Sequence, residues 1–151
     1  MRDCSTGHTR QPTIMTPRKY TEDDEPRVAA LWRANFPDYT GYNTPEAVLR
    51  AKRLVDDHIY VLEDDGEIIA TCMAGYDGHR GWLYSVAVAA SRQGEGLGRR
   101  MVEFAIERLR ELGCVKVNLQ IRGGNEEVAD FYRRLGFNTE DRISMGLILD
   151  P

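Results

Sequence analysis

Cysteine is scarce and unpatterned in this chain of 151 residues: Cys4, Cys72 and Cys114 form an odd set with no close spacing. They supply neither a disulfide framework nor the paired spacing of a zinc site, so reduced thiols are expected. Long apolar runs are missing as well. No stretch approaches the roughly 18 residues of a membrane span, and no succession of basic, apolar and small residues marks a secretory leader. A cytoplasmic protein with no membrane partner is the expectation. Positive charge is in deficit, with 20 Lys and Arg against 24 Asp and Glu, a formal net charge of −4. That balance argues against nucleic acid as a partner, which needs a concentrated basic surface, and is compatible with a cationic substrate. Repeats, low-complexity tracts and linkers are absent. The acidic run Glu22 to Glu25 reads as the start of a helix, where carboxylates complement the helix dipole, and not as a metal site.

What remains is a length and an apolar content of 42% that fit one globular domain with a real core. Residues 1–14 are polar and aperiodic and read as a disordered extension, with Met15 as an alternative start and the domain over residues 15–151. A strand is expected around Ile14 to Tyr20. Thr21 to Asp24 has the form of a capping box, followed by Val28, Leu31, Trp32 and Asn35 at helical spacing until Pro37 interrupts. A loop holding Tyr39 and Tyr42, with Phe36 just ahead of it, either lines a substrate entrance or staples helices to a sheet. Thr44-Pro45-Glu46 restarts a helix.

His58 to Glu63 and Glu67 to Tyr76 read as strands joined at Asp64-Asp65-Gly66, a hairpin signal. Asp77 to Gly81 is a second turn and Trp82 to Ala89 a third strand, completing an antiparallel meander. The next helix carries two apolar rows, Leu97, Met101 and Phe104, and Val102, Ala105, Leu109 and Leu112, and is therefore expected to be largely buried. Gly113 ends it, and Cys114 to Ile121 forms a strand parallel to the previous one through a right-handed crossover. Asn125 caps a last helix with Val128, Phe131, Tyr132 and Leu135 on one stripe, Gly136 stops it, and Ile143 to Leu149 closes the sheet.

The chemistry concentrates where the third strand meets the buried helix, in Ser85-Val-Ala-Val-Ala-Ala-Ser-Arg-Gln-Gly-Glu-Gly-Leu-Gly98. A strand that delivers a glycine-rich turn to a helix N-terminus is an anion-binding device. The first amides of the helix lack internal partners, and the dipole leaves partial positive charge there. Gly94, Gly96 and Gly98 remove the side chains that would keep a phosphate away, and tolerate positive φ. A dinucleotide fingerprint would need glycine at position 99, which is Arg, and an acid ending the next strand, where Gln120-Ile-Arg122 stands. A nucleoside-triphosphate loop would need Gly-Lys-Ser/Thr, which does not follow.

The whole arrangement, over about Pro17 to Leu149, resembles the GNAT superfamily of acetyl-CoA-dependent N-acetyltransferases. Gln93-Gly-Glu-Gly-Leu-Gly98 matches that family's pyrophosphate motif, Arg/Gln-x-x-Gly-x-Gly/Ala. Asn125 to Phe137 is similar to its late Asn-x-x-Ala-x-x-Phe-Tyr-x-x-x-Gly-Phe segment, with Ala129 shifted by one place. Gly75 to Gly81 together with Leu135-Gly-Phe137 is most similar to the YpeA-like branch. The resemblance implies an α/β (α+β) fold: a mixed, mainly antiparallel sheet of about six to seven strands with a splayed parallel pair, flanked by about four helices. It implies acetyl-CoA as cosubstrate and no metal. Gln93, Gly94, Glu95, Gly96, Leu97 and Gly98 would offer amides to the pyrophosphate, with Arg99 the nearer of two arginines. Val86, Ala87 and Val88 would pair through their backbone with pantetheine. Asn125 would contact pantetheine or orient the last helix, and Tyr132 would face the sulfur. The partner would be a small-molecule or peptide amine, and pairing into a homodimer is common in the superfamily.

Acetyl transfer needs an uncharged amine and a proton for the departing thiolate. A phenol with pKa near ~10 is protonated at neutral pH and can serve a thiolate whose ordinary pKa is ~8.5, which suits Tyr132 as general acid. The base is where the sequence departs from better-known members, because Trp82 to Ala89 contains no carboxylate. Tyr84 is its only ionisable group, and Asp77 and His79 in the preceding turn are candidates, directly or through water. An α-amine at roughly 7.7–8.0 has a usable neutral fraction where a lysine-like amine at ~10.4 does not, so an α-amine of a peptide or small molecule is favoured. The alternative is a non-catalytic domain that binds acetyl-CoA.

Overall fold

The computed structural model describes residues 15–149; the expectations for residues 1–14, Cys4 among them, lie outside the described residues. The chain forms two compact units, one ending at Leu119 and one beginning at Gln120. The first holds β1 (Arg18–Lys19), α1 (Glu25–Asn35), α2 (Pro45–Val55), β2 (Ile59–Asp64), β3 (Glu67–Tyr76), β4 (Gly81–Val88), α3 (Leu97–Glu111) and β5 (Val117–Asn118). The second holds α4 (Glu126–Arg134).

The five strands lie in the order β1-β2-β3-β4-β5, antiparallel except for the parallel pair β4 and β5. This is the mixed sheet with four helices that the sequence suggests, with five strands where six to seven were expected. The β2–β3 hairpin turns on Asp65 and Gly66, both at positive φ (50° and 78°), the geometry whose twist matches that of the flanking strands. Ile59 to Leu62 are buried consecutively because both faces of the sheet are covered. Ile59 and Val61 join Val28, Leu31 and Trp32 of α1 and Leu49 of α2 in one cluster. On the other face the Tyr60 ring meets Phe104 of α3 edge-on at 5.1 Å. Leu97, Met101, Val102, Ala105 and Leu109 bury α3 as its two rows require; Leu112, just past the last turn, is 47% exposed.

Three expected strands are shorter or absent. β1 spans two residues instead of Ile14 to Tyr20; Pro17, which has no N–H to give a ladder, stands immediately before it. β5 spans two residues of the expected Cys114 to Ile121. Ile143 to Leu149 forms no strand and its large apolar side chains are exposed. Residues 120–149 contain no other strand, and alternating polarity selects a face without supplying the ladder partner on which a strand depends.

The acidic helix start does more than complement a dipole. Asp24, only 1% exposed, accepts from the Thr21 amide at 2.8 Å and from Arg18 Nη1 and Arg27 Nη2 at 2.8 and 2.7 Å. Glu63 of β2 accepts from the other nitrogens of the same arginines at 2.6 and 2.9 Å, closing a network that joins β1, α1 and β2. Arg18, with a smaller contribution from the Thr21 amide, holds the Asp24 carboxyl down at about 2 against an opposing desolvation. A carboxyl lowered on folding stabilises above its unfolded value and loses that contribution as it protonates. The gap in urea-unfolding stability between wild type and Asp24→Asn should therefore narrow as pH falls from 3.8 towards about 2. A gap constant across that window would contradict the assignment.

Candidate functional site

The strand-to-helix junction has the form expected of an anion cradle. Gly94 and Gly96 sit at φ +82° and +77°, and Gly96 is the N-cap of α3. A side chain at either would be strained by roughly 1–2 kcal/mol. Beyond its own chain neighbours, no heavy atom of the described residues lies within 4 Å of where a Cβ would stand at either position, so the space in front of this backbone is open. Gly98 differs: it lies inside the first turn of α3 and is not among the glycines at positive φ. The first helical bond runs from the Arg100 amide to Gly96 O at 3.1 Å, which leaves the Leu97, Gly98 and Arg99 amides without intrahelical partners. Leu97 buries its side chain, so only its backbone faces outward. No acid occupies the first turn of α3. These features fit a pyrophosphate.

Two residues that sequence reasoning passed over hold this turn. Arg92 donates from Nε and Nη2 to Glu95 at 2.8 and 3.2 Å, and from Nη1 to Asp64 of the β2–β3 hairpin at 2.8 Å. The clasp ties the turn to the hairpin and offsets the one carboxylate in Gln93 to Gly98. The i,i+3 spacing of Arg92 and Glu95 was a readable signal; nothing local pointed to Asp64. Arg99 pairs with Glu103 one helical turn on, at 2.7 Å, and Arg100 donates to the Met15 carbonyl at 3.0 Å.

Upstream, β4 parts from β5 early. Their pairing covers only Gly81↔Val117 and Trp82↔Asn118, while the other edge of β4 stays paired with β3 as far as Val88↔Ala70. From Leu83 to Val88, β4 has no partner on the β5 side among the described residues. Val86, Ala87 and Val88 lie in this stretch; Ala87 packs into the α1–α2 cluster, and the two valines are half-buried.

Between Met73↔Tyr84 and Thr71↔Ala87, Ser85 and Val86 oppose the single residue Cys72, which defines a β-bulge. Ser85 takes φ 50°, a conformation that costs a non-glycine residue on the order of 1–3 kcal/mol unless its surroundings impose it. They do so through a closed circuit. Thr71 Oγ1 donates to Ser85 O at 2.9 Å and accepts from Trp32 Nε1 at 2.9 Å. Ser85 Oγ bonds the Tyr39 hydroxyl at 2.7 Å, and the Tyr39 ring meets Trp32 edge-on at 5.9 Å. Sequence reading gave Ser85 and Thr71 no role, because a single polar residue in an apolar strand does not announce a bulge.

The turn before β4 is occupied with its own structure. Asp77 Oδ1 accepts from the His79 and Arg80 amides, each at 2.7 Å, and these bonds hold its carboxyl below the usual range. His79 is exposed, with Arg80 Nη1 3.3 Å from its Nδ1. Tyr84, 45% exposed, stacks on Trp82 at 6.5 Å between ring centroids, and burial pushes its phenol up. The turn and the glycine cradle stand at opposite ends of β4, separated by roughly 23 Å of strand.

In the second unit, Asn125 caps α4 by accepting from the Val128 amide at 3.3 Å. Tyr132 is 8% exposed, between Phe131 and Phe137 with ring centroids 4.9 and 5.5 Å away. Among the described residues no group of His, Cys, Asp and Glu is placed to hold a metal ion, and no helix is long and apolar enough to cross a membrane.

The acetyltransferase (GNAT) family model matches residues 25–137. An acetyltransferase from Yersinia pestis is 32% identical over 136 residues, 88% of this chain and 96% of its own length. One from Pectobacterium atrosepticum is 33% identical over 131 residues, covering 85% and 92%. Among solved structures, glucosamine-6-phosphate N-acetyltransferase from Arabidopsis thaliana superposes with a TM-score of 0.67 at 26% identity, covering 90% of this chain and 99% of that one. An aminoglycoside N-acetyltransferase in complex with CoA shares the fold with a TM-score of 0.74 at 16% identity, covering 92% and 97%.

Gly96→Ala puts a methyl group into the open space before the α3 amides as well as straining the N-cap. It is expected to weaken acetyl-CoA binding by about tenfold or more, the effect of 1.4 kcal/mol, in a calorimetric titration. Unchanged affinity would remove the turn from the ligand site.

Proposed function

The chain belongs to the acetyltransferase (GNAT) family and is an N-acetyltransferase; from that premise we propose that it acetylates the α-amine of a peptide or small molecule by direct attack on acetyl-CoA, with Tyr132 as general acid. The observation that carries this reading is the course of β4. It loses its parallel neighbour after two residue pairs and then runs, with no partner on that side among the described residues, into an open glycine turn at the head of α3. One strand thereby offers backbone for an extended arm and, at its end, amides for an anion.

In this reading Gln93 to Gly98 bind the pyrophosphate through their amides, with Arg99 nearby, and Val86 to Val88 align the pantetheine arm. Asn125 holds the start of α4. The neutral amine attacks the thioester carbonyl carbon, the carbon–sulfur bond breaks, and the Tyr132 hydroxyl gives its proton to the departing sulfur. Asp77 is committed to two backbone amides and Tyr84 holds its proton more tightly than an ordinary phenol, so neither is favoured as base. Water takes the proton from the amine, with His79 the side chain that would replace it as base. The demand on a base is small if the acceptor is an α-amine, since roughly a tenth or more of it is already neutral near pH 7. Residues 15–151 act as one domain, in the cytoplasm, and belong with the YpeA-like branch.

A thiol-release assay with acetyl-CoA and a panel of amines tests the proposal. The panel should hold amino acids, N-terminal peptides, a lysine side-chain analogue, an amino sugar and an aminoglycoside, since proteins of similar fold are named for the last two acceptors. Release dependent on α-amines is expected; acetyl-CoA binding without any amine-dependent release would contradict it. Tyr132→Phe is expected to lower kcat about 10²-fold, at the lower end of what a positioned acid supplies. Wild-type turnover by that variant would remove Tyr132 from the chemistry. The pH–rate profile should lack an essential group near ~6.5; its presence would assign His79 as base.

A further inference from the structure

We propose that Tyr39 is a positioning residue for the transfer, acting through Ser85 to hold the β4 bulge in shape; this rests on the acetyltransferase reading for its kinetic consequence only. Tyr39 lies between α1 and α2, far in sequence from β4, yet its hydroxyl reaches Ser85 Oγ at 2.7 Å. Its ring is fixed on two sides, edge-on to Trp32 at 5.9 Å and against Phe36 at 4.9 Å. The hydroxyl therefore arrives on a rigid aromatic support. Ser85 is the residue that needs holding, because it is a non-glycine at φ 50° in the middle of a strand.

The circuit grips Ser85 at two atoms. Thr71 Oγ1, itself held by Trp32, fixes the carbonyl, and Tyr39 fixes the side chain. Trp32 belongs to both arms, so backbone and side chain of Ser85 are referred to the same indole. If either arm is cut, Ser85 is free to relax towards negative φ, which would slip β4 by the extra residue and turn the side chains after it to the opposite face. The segment that would move is Val86 to Val88, the open edge assigned to the pantetheine arm. Tyr39 touches neither reacting atoms nor ligand in this scheme.

Glycine at position 85 separates this role from a merely structural one. It adopts positive φ without strain, so a chain with Ser85→Gly keeps the bulge and no longer needs the tyrosine hydroxyl. Tyr39→Phe removes only the hydroxyl and retains both ring contacts. In the ligand-free protein, Tyr39→Phe is expected to speed amide exchange in residues 85–88 several-fold while leaving α3 unchanged. In turnover it should lower kcat about tenfold with the acceptor KM little altered. Both effects should vanish when Tyr39→Phe is made in the Ser85→Gly background. Unchanged exchange in Tyr39→Phe, or an equally large effect with glycine at 85, would overturn the proposal. The exchange measurement decides it without ligand or activity, so a protein that released no thiol would sink the functional reading and leave this test standing.

Discussion

The strained bulge at Ser85 is the constraint on which the candidate site depends, because it sets the register of the β4 residues that run, with no partner on the β5 side among the described residues, towards the glycine turn. β4 is paired on both sides at Gly81 and Trp82; from Leu83, two residues before the bulge, to Val88 its pairing among the described residues is with β3 alone. An extra residue in one strand raises local twist and bends that strand away from its neighbours. A length of strand backbone without a ladder partner is costly wherever water or a ligand does not satisfy its amides. Here the open length leads straight into the glycine turn, so the backbone groups that the sheet does not use become available to a ligand.

The rest of the first unit is arranged to keep that opening rigid. β2 and β3 are buried on both faces, α1 and α2 lie on one side and α3 on the other, and the strained serine is held from the α1 side by Trp32, Thr71 and Tyr39. The far end of the opening is fixed by the Arg92 clasp to Asp64 and Glu95. Strained bulge and clasped turn both refer to β3 or its hairpin, so one rigid hairpin sets the distance between them. Such preorganisation lets a ligand bind without ordering the loop first.

Much of the fold was legible because it rests on local patterns. The Asp64-Asp65-Gly66 turn, the two rows of α3 and the glycine turn each carry a signal within a few residues, and all are found where expected. Sequence patterns gave no warning of features that depend on pairing between distant segments. Alternation in Ile143 to Leu149 indicated a strand but not the partner it lacks, and Cys114 to Ile121 could not reveal that pairing with β4 stops after two residues. The bulge was invisible for a related reason: positive φ at a serine follows from bonds to Thr71 and Tyr39, which are neighbours only in the folded chain. The candidate site was legible in the glycines and valines proposed to meet the ligand, and not in the support behind them. For the base, the structure weakens Asp77 by showing what its carboxylate already does.

The central expectation is that acetyl-CoA lies along the open edge of β4. Amide hydrogen exchange with and without acetyl-CoA, resolved to segments, measures this directly. Residues 83–88 and the first turn of α3 should become better protected together on binding, with β2 unchanged. Saturation with acetyl-CoA that leaves both segments as fast as before would contradict it.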